Sequence, residues 1–335
     1  MDLFARILVG SRRTRYTAAM SFFRQLIFVA LAALLSGCGP AQPPVQTPAP
    51  ASTFHATFTA ANGSNALARA VALCALGPRD TGTPGGERAA NWLADTLHQQ
   101  GYAPRIDTFA DETATGPLIC RNVYTEYTGL KNTKKTTNSW IILISHFDTK
   151  TGVSTNFVGA NDGGSSTALL LELAQIIKTA APHCNVMFGF LDGEECRVEY
   201  GPRDGLHGSR HLAAQLAAEK RNVRAVILLD MIGKRNVSVQ LPPNGDVALT
   251  RLVLAAAKTC GVREKFGLSN LGVLDDHQPF LDAGFPAVDL IDFHFGSAIG
   301  LNNYWHTPQD TTDKLSAESL TIIGRVVTEM LRQLE

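Results

Sequence analysis

The chain has 335 residues, of which 45% are hydrophobic and 18% charged, and its 30 Lys and Arg residues balance its 30 Asp and Glu residues. This composition is that of a globular protein, long enough for one large domain or two smaller ones. A formal net charge of zero gives no electrostatic reason to expect nucleic acid as a partner or a polybasic membrane-binding patch.

The first segment of the chain is typical of a bacterial secretory signal. Several arginines precede the apolar run 26–35 (LIFVALAALL), among them Arg12, Arg13, Arg15 and Arg24. A membrane-spanning helix needs roughly 20 apolar residues, so this run is too short for one. It ends in Leu-Ser-Gly-Cys38, which resembles a lipobox and implies cleavage before Cys38 and a lipid on its thiol. An uncleaved anchor helix is the alternative, and translation could start at Met1 or at Met20.

A proline-rich segment follows the cysteine. Residues 39–52 read GPAQPPVQTPAPAS, a composition that forms an extended tether and not a helix or central strand. We therefore predict a signal peptide over 1–37, a lipidated Cys38 with its tether over 38–53, and a globular domain over 54–335. The chain is expected to be an exported bacterial lipoprotein, anchored to a membrane and facing the periplasm or the cell surface.

The remaining cysteines do not suggest a disulfide framework. They are widely spaced, odd in number and without a CxxC pair: Cys74, Cys120, Cys184, Cys196 and Cys260. A disulfide-rich fold and a zinc knuckle are therefore not expected. A single disulfide between two of these cysteines is the alternative, and the sequence does not identify its partners.

Helical and strand patterns alternate through the domain. Helical periodicity covers 65–76, 87–100, 165–179, 208–220, Val247–Thr259 and Ala317–Leu334. Strand patterns cover 121–127, 139–148, 185–192, 223–230 and 285–292. Most of these strands are nearly continuous apolar runs, which suit strands buried on both faces. The alternation predicts a single α/β domain with a central mixed, mostly parallel β-sheet flanked by helices.

Four of the buried strands run into an aspartate. These residues are Asp148, Asp192, Asp230 and Asp292. Ligands of open α/β sheets bind beyond the carboxyl ends of the strands, so these side chains are expected at one edge. Gathering like charges there is costly without a cation or other compensating partners. A metal ion is the natural compensation, and independent caps and salt bridges are the alternative.

Further candidate groups follow the same strands. His146 and Asp148 lie two apart on one strand and share a face, which suits an imidazole ligand and a carboxylate that orients it. Asp162 stands among glycines before a helix, where it is either a ligand or an N-cap. Glu194 and Glu195 are adjacent carboxylates that would repel unless one ligates a cation while the other, with a raised pKa, moves protons.

The order and spacing of these motifs resemble the zinc aminopeptidase (M28) superfamily. The motifs are HFD, GANDGG, LDGEE, LLDMIG, DDHQPF and YWHTPQDT, with GPRDTGTPG (77–85) and RDGLHGSRHLAA (203–214) around them. Within the superfamily the chain resembles the glutaminyl-peptide cyclotransferases of the animal type, over nearly everything from Gly77 onward. The resemblance implies a zinc-aminopeptidase-like fold.

The resemblance also implies which residues act. It assigns a single Zn²⁺ to Asp162, Glu195 and His306, a nitrogen and oxygen set of the kind found in open catalytic zinc sites. It assigns the proton shuttle to Glu194, two supporting acids to Asp230 and Asp275, and a substrate-pocket wall to Trp305. His306 and Trp305 could otherwise be ordinary core residues. Tyr200 stands near a position where the animal enzymes carry a pocket tryptophan.

Three functions fit these motifs. A cyclotransferase would bind peptides or proteins with an N-terminal glutamine and release pyroglutamate and ammonia. A two-zinc aminopeptidase would add His146 and Asp230 as ligands, with Asp162 bridging. A non-enzymatic binding protein would be expected to have lost a ligand or Glu194, and neither is lost. The pair Trp305-His306 and the sequence Asp275-Asp276-His277 favour the cyclotransferase, whereas the loop GANDGGSST is closer to the peptidase form.

Overall fold

The computed structural model describes residues 54–113, 116–129 and 138–335. These residues belong to one compact unit, Pro50–Glu335. The predicted signal peptide (1–37) and the lipidated cysteine with its tether (38–53) lie outside the described residues, so both stay predictions. Within the described ranges, none of the helices is long and apolar enough to cross a membrane.

The described residues form an alternating series of helices and strands. The helices are α1 (Ala60–Cys74), α2 (Pro84–Gln99), α3 (Gly164–Ala180), α4 (His207–Ala218), α5 (Val247–Thr259), α6 (Gln278–Asp282) and α7 (Ala317–Leu334). The strands are β1 (Arg105–Thr113), β2 (Gly116–Tyr127), β3 (Trp140–His146), β4 (Asn185–Leu191), β5 (Val223–Asp230), β6 (Val239–Leu241), β7 (Phe266–Leu268) and β8 (Ala287–Ile291). The predicted helices at Val247–Thr259 and Ala317–Leu334 have the observed bounds.

Six strands form the central sheet in the order β1-β2-β4-β3-β5-β8. β1 pairs antiparallel with β2, and β2 antiparallel with β4. From β4 to β8 every pairing is parallel. The predicted mixed sheet with a parallel centre and flanking helices is therefore confirmed. β6 and β7 form a separate parallel pair.

Strand β3 shows how the sheet divides the core. All seven of its residues are buried. Ile141 and Leu143 face the larger apolar core, which also contains side chains of α1, α2, α3, α5 and α7. Ile142 and Ile144 face a smaller core with side chains of α4 and α6. Because successive side chains of a strand point to opposite faces, the continuous apolar run indicates helices on both sides, as observed.

Helix α1 begins earlier than the periodicity predicts, and the reason is local. Thr59 is its N-cap and forms a capping box with Asn62, which satisfies free backbone N–H groups of the first turn. Gly63 weakens the helical pattern of the sequence in this region. The glycine is needed there because α1 packs closely against α7 at this position. A Cβ atom at Gly63 would come within 2.4 Å of the backbone oxygen of Ala317.

We expect Gly63→Val to destabilise the protein because the added atoms overlap the backbone of α7. Overpacking of this kind costs about 1–3 kcal/mol, and each kcal/mol lowers Tm by about 2–4 °C in a protein of this size. Thermal unfolding of the variant measures the shift. The control Ser64→Ala, at an exposed site on the same helix, should stay within about 0.5 kcal/mol. Equal Tm values for the two variants would contradict the close crossing.

Candidate metal centre and active-site cavity

The candidate residues gather where the central parallel strands end. His146 is the last residue of β3, Asp230 is the last residue of β5, and Glu194 and Glu195 follow the end of β4. The loop before α3 supplies Asp162. The loop after β8 supplies His306, so five segments of the chain meet at one edge of the sheet, as expected for an open α/β sheet.

The three residues assigned to zinc by the sequence resemblance lie together. Nε2 of His306 is 3.3 Å from Oδ2 of Asp162 and 3.0 Å from Oε1 of Glu195. One ligand atom from each of the three lies within 4.8 Å of the others. Asp162 does not cap α3, because the N-cap of that helix is Gly163, so the N-cap alternative is wrong.

A second group of potential ligands shares Asp162 with the first. Nε2 of His146 lies 3.2 Å from Oδ1 of Asp162 and 3.2 Å from Oδ1 of Asp230. These three residues also place one ligand atom each within 4.8 Å of one another. The arrangement is the one expected for the two-zinc alternative, with Asp162 between the two positions.

The chemistry of the first group, Asp162, Glu195 and His306, suits a metal ion. Oδ2 of Asp162 and Oε2 of Glu195 are buried and accept no hydrogen bond of good geometry, although His306 lies 3.3 Å from the first and Lys150 lies 3.9 Å from the second. Buried carboxylate oxygens without partners are costly, and a cation would offset that cost. One imidazole nitrogen with two carboxylates is a donor set that zinc takes in catalytic sites.

The protonation of the first group opposes metal binding at low pH. Burial raises the pKa of Glu195, and the nearby charge of Asp162 adds to this shift. Burial lowers the pKa of His306, but its close contacts with the carboxylates of Asp162 and Glu195 outweigh that effect and raise it to about 9. The imidazole of His306 therefore holds a proton at neutral pH in the metal-free protein, and a metal must displace it.

We accordingly expect zinc affinity to rise with pH. Below pH 9 the imidazole of His306 must lose its proton to ligate, so the apparent association constant should rise about tenfold per pH unit for each proton displaced. It should level off once pH passes the pKa of His306. Competition with a chelating fluorophore at pH 6, 7 and 8 measures the slope. An affinity that does not change over this range would contradict the proton displacement.

Two buried residues that the sequence did not assign hold the Asp162 loop. The carboxylate of Asp310 accepts hydrogen bonds from the backbone N–H groups of Asn161 (2.7 Å) and Asp162 (3.1 Å). The guanidinium of Arg79 is fully buried and donates to the carbonyl oxygens of Phe147, 2.7 Å away, and Gly159, 3.2 Å away. Asp310 belongs to the YWHTPQD stretch and Arg79 to GPRDTGTPG, so both motifs also fix a loop.

Asp148 orients the adjacent glutamates. Its carboxylate accepts from the backbone N–H groups of Glu194 and Glu195, both at 3.2 Å. The same carboxylate lies 3.4 Å from Nδ1 of His146, on the side expected for an orienting group. The hydroxyl oxygen of Thr81 lies 3.2 Å from this carboxylate.

The four aspartates at the strand ends have different fates. Asp192 accepts from the hydroxyl of Thr81 and the backbone of Arg121. Asp292 pairs with Lys234 at 3.0 Å. Asp148 accepts hydrogen bonds from backbone N–H groups, so the charges of three of the four aspartates are compensated within the protein. For these three, the alternative of independent caps and salt bridges applies. Asp230 alone lies among the candidate ligands.

Glu194 lies outside both candidate ligand groups but lines the same cavity. Burial raises its pKa well above the ordinary value; the charge of His146 opposes this shift, and Glu195 and Asp275 add to it. Burial and the charge of Asp230 also raise the pKa of Asp275. A buried glutamate of raised pKa beside a metal position is suited to accept and return a proton.

The cavity has a volume of about 610 Å³. Its wall includes Asp162, Glu194, Glu195, Asp230, Asp275, Trp305 and His306. The indole of Trp305 stacks on His306 at 3.8 Å and meets Phe293 edge to face at 4.9 Å. Trp305 therefore forms the part of the cavity wall beside His306, and its contact with substrate stays a prediction.

Two residues at the cavity have left-handed backbones although they are not glycine. The φ angles are 53° at His306 and 50° at Met231, which follows Asp230. Such conformations cost about 1–3 kcal/mol each and persist where the surrounding structure imposes them. The strain lies at a candidate ligand (His306) and directly after another (Asp230), which supports a functional reason for the shape of these two segments.

Comparisons of this chain with protein-family models, protein sequences and solved structures all point to one family. The model of peptidase family M28 matches residues 122–331. A glutaminyl cyclase from an Acidobacteriales bacterium is 33% identical, with a TM-score of 0.76 over 88% of this chain and 98% of that one. A Bos taurus glutaminyl-peptide cyclotransferase-like protein is 29% identical over 76% of this chain and 72% of its own. A leucine aminopeptidase precursor from Bacteroides thetaiotaomicron has the same fold, with a TM-score of 0.71 over 82% of this chain and 97% of that one at 24% identity.

Proposed function

This chain belongs to peptidase family M28, and on that premise we propose that it is a zinc-dependent glutaminyl-peptide cyclotransferase, an acyltransferase that converts N-terminal glutamine into pyroglutamate with release of ammonia. One observation carries the proposal: a glutaminyl cyclase is similar to this chain over 98% of its own length at 33% identity. The substrates are peptides or proteins with an N-terminal glutamine.

Asp162, Glu195 and His306 hold one Zn²⁺ in this proposal. Their proximity, and a buried oxygen on each carboxylate that accepts no hydrogen bond of good geometry, support the assignment. When bound there, zinc supplies Lewis-acid polarisation of the side-chain amide carbonyl of the substrate.

Glu194 moves the proton of the reaction. The α-amine of the substrate forms a bond to the Cδ of its own glutamine side chain, and the bond from Cδ to the amide nitrogen breaks. Glu194 accepts the proton from the amine and returns it to the leaving nitrogen as ammonia departs, so the carboxylate is regenerated. The attack is intramolecular, which favours it through proximity.

Asp230, Asp275 and Trp305 position the substrate. The two aspartates lie in the cavity wall, where they hold the amine that attacks. Trp305 offers an aromatic face beside His306, against which the apolar stem of the glutamine side chain packs. Each of these roles uses a side chain that lines the same cavity.

A two-zinc aminopeptidase is the second candidate, because His146, Asp162 and Asp230 form a second group of potential ligands. In that case Glu194 would take a proton from water instead of from the amine. The fold does not separate the two activities, since structures of both kinds resemble this one.

The deciding assay uses the full chain in detergent with glutaminyl-7-amino-4-methylcoumarin, followed by mass and fluorescence together. A cyclotransferase removes ammonia, so the mass falls while the coumarin stays attached and dark. An aminopeptidase releases the fluorescent coumarin directly and also cleaves leucyl-coumarin. Immediate fluorescence from both substrates would overturn the cyclotransferase in favour of the two-zinc enzyme.

We further propose that the protein is an exported lipoprotein held to a membrane through Cys38. The arginines before the apolar run and the sequence Leu-Ser-Gly-Cys38 support this. In a bacterial host, the wild-type chain should incorporate labelled fatty acid and sediment with membranes, and Cys38→Ser should do neither. Membrane association unchanged in Cys38→Ser would point to an uncleaved anchor.

A further inference from the structure

Tyr200 contacts the carboxylate that moves the proton. Its hydroxyl lies 2.9 Å from Oε1 and 3.1 Å from Oε2 of Glu194. Among the hydrogen bonds of the described residues, these are the only ones that reach the side-chain oxygens of Glu194. Tyr200 is half-buried and its ring lines the cavity, so one residue touches both Glu194 and the space for substrate.

Contacts within the loop after Glu195 restrict the position of the Tyr200 ring. The carboxylate of Asp204 accepts from three successive backbone N–H groups, those of Arg197, Val198 and Glu199, at 2.6, 2.8 and 3.1 Å. Gly205 has a φ of 78°, and a Cβ atom there would lie 2.5 Å from Cδ1 of Tyr200.

Arg210 closes the other side of the same loop. Its guanidinium donates to the carbonyl oxygens of Gly201 and Gly205, both at 2.7 Å. The backbone N–H of Leu206 donates to the carbonyl oxygen of Glu194 at 2.9 Å, which ties the end of the loop to its start. The ring of Tyr200 is therefore held from both ends of the loop.

The chemistry of a phenol suits this place. Glu194 lies near other carboxylates, and a neutral hydroxyl donates one hydrogen bond without adding a charge or a competing metal ligand. Burial and the acids around it raise the pKa of Tyr200, so the hydroxyl keeps its proton. One O–H group cannot satisfy both oxygens at once, which leaves acceptor capacity on Glu194 for the substrate.

We propose that Tyr200 is a positioning residue for Glu194: its hydroxyl holds the carboxylate in the orientation that accepts the proton from the attacking amine and returns it to the leaving nitrogen. The proposal rests on the proposed function only through the role of Glu194. Proton transfer by a positioned group contributes about 10²–10⁴-fold, and misplacement by about 1 Å can cost about 10²-fold. The hydroxyl should therefore affect kcat more than substrate binding.

The test is Tyr200→Phe in the full chain, which keeps the ring in the cavity wall and removes the hydroxyl. We expect kcat to fall about 10- to 100-fold, with KM changed less than about threefold because the apolar wall remains. Zinc content and Tm should match those of the wild type. The control Tyr304→Phe, at a ring that packs against Phe295, should leave both kinetic constants within about twofold.

A double-variant cycle tests whether the effect passes through Glu194. Glu194→Asp withdraws the carboxylate from the hydroxyl, so adding Tyr200→Phe to it should cost less than about threefold more. An equal loss in both backgrounds would overturn the proposal, as would an intact kcat or a rise in KM alone in the single variant. The wild-type product is identified first. If it is a hydrolysis product, the proposed function fails while the ratio of wild type to Tyr200→Phe still judges the role of Tyr200.

Discussion

Glu194→Gln should lower kcat for pyroglutamate formation by about 10²–10⁴-fold, the contribution of a positioned proton-transfer group. Glutamine fills nearly the same volume and can still accept a hydrogen bond from Tyr200, but it cannot take a proton from the substrate amine. Glu194 is outside both candidate ligand groups. The zinc content, measured by elemental analysis, should therefore equal that of the wild type.

The matched control is Glu199→Gln. Glu199 lies on the same loop but is exposed, so its change should leave kcat within about twofold. Ammonia release from glutaminyl peptides measures both variants. A Glu194→Gln protein that binds zinc and keeps more than about a tenth of the wild-type kcat would show that another group moves the proton.

The central strands could be predicted because their burial leaves a strong pattern in the sequence. β3, β4 and β5 are nearly continuous apolar runs of strand length, and such runs belong to strands covered on both faces. The same runs place their ends at one edge of the sheet, so the region of the site followed from the fold.

The edge strand β1 was missed because its pattern is dictated by tertiary contacts. Its sequence RIDTFADET carries charges that disfavour a strand in isolation. In the structure Asp107 lies 3.2 Å from His211 and Asp111 lies 2.7 Å from His207, both on α4. These partners are distant in sequence, so no local pattern contains them. The short elements β6, β7 and α6 offer too few residues for any periodicity.

The residues of the candidate site were likewise predicted only in part. Resemblance to a family located Asp162, Glu195 and His306, which the fold brings together. The residues that hold them in place were not assigned, because Asp310 and Arg79 act on backbone groups of a distant loop. The hydroxyl contact of Tyr200 was also missed, since its position suggested only a cavity wall. Sequence motifs identify the reactive side chains, whereas the residues that hold them in place depend on tertiary contacts between distant segments.

His306→Ala should lose zinc and activity together. The residue supplies the only nitrogen in its ligand group. Groups that merely orient a ligand change metal affinity about 10- to 100-fold, so loss of a direct ligand should exceed about 100-fold. Loss of several kcal/mol of Lewis-acid stabilisation corresponds to at least about 10³-fold in kcat. The control His98→Ala, at an exposed site on α2, should keep both zinc and activity.

The number of zinc ions then separates the two candidate functions. The cyclotransferase needs about one zinc per chain, absent after His306→Ala. The aminopeptidase needs about two, one of which would depend on His146 and Asp230. Elemental analysis of the wild type, measured beside product identity, connects the count to the reaction. One zinc with ammonia release would leave His146 as a partner of the aspartates and not a ligand. Two zincs with coumarin release would make the second group catalytic, because Asp162 would then bridge both ions.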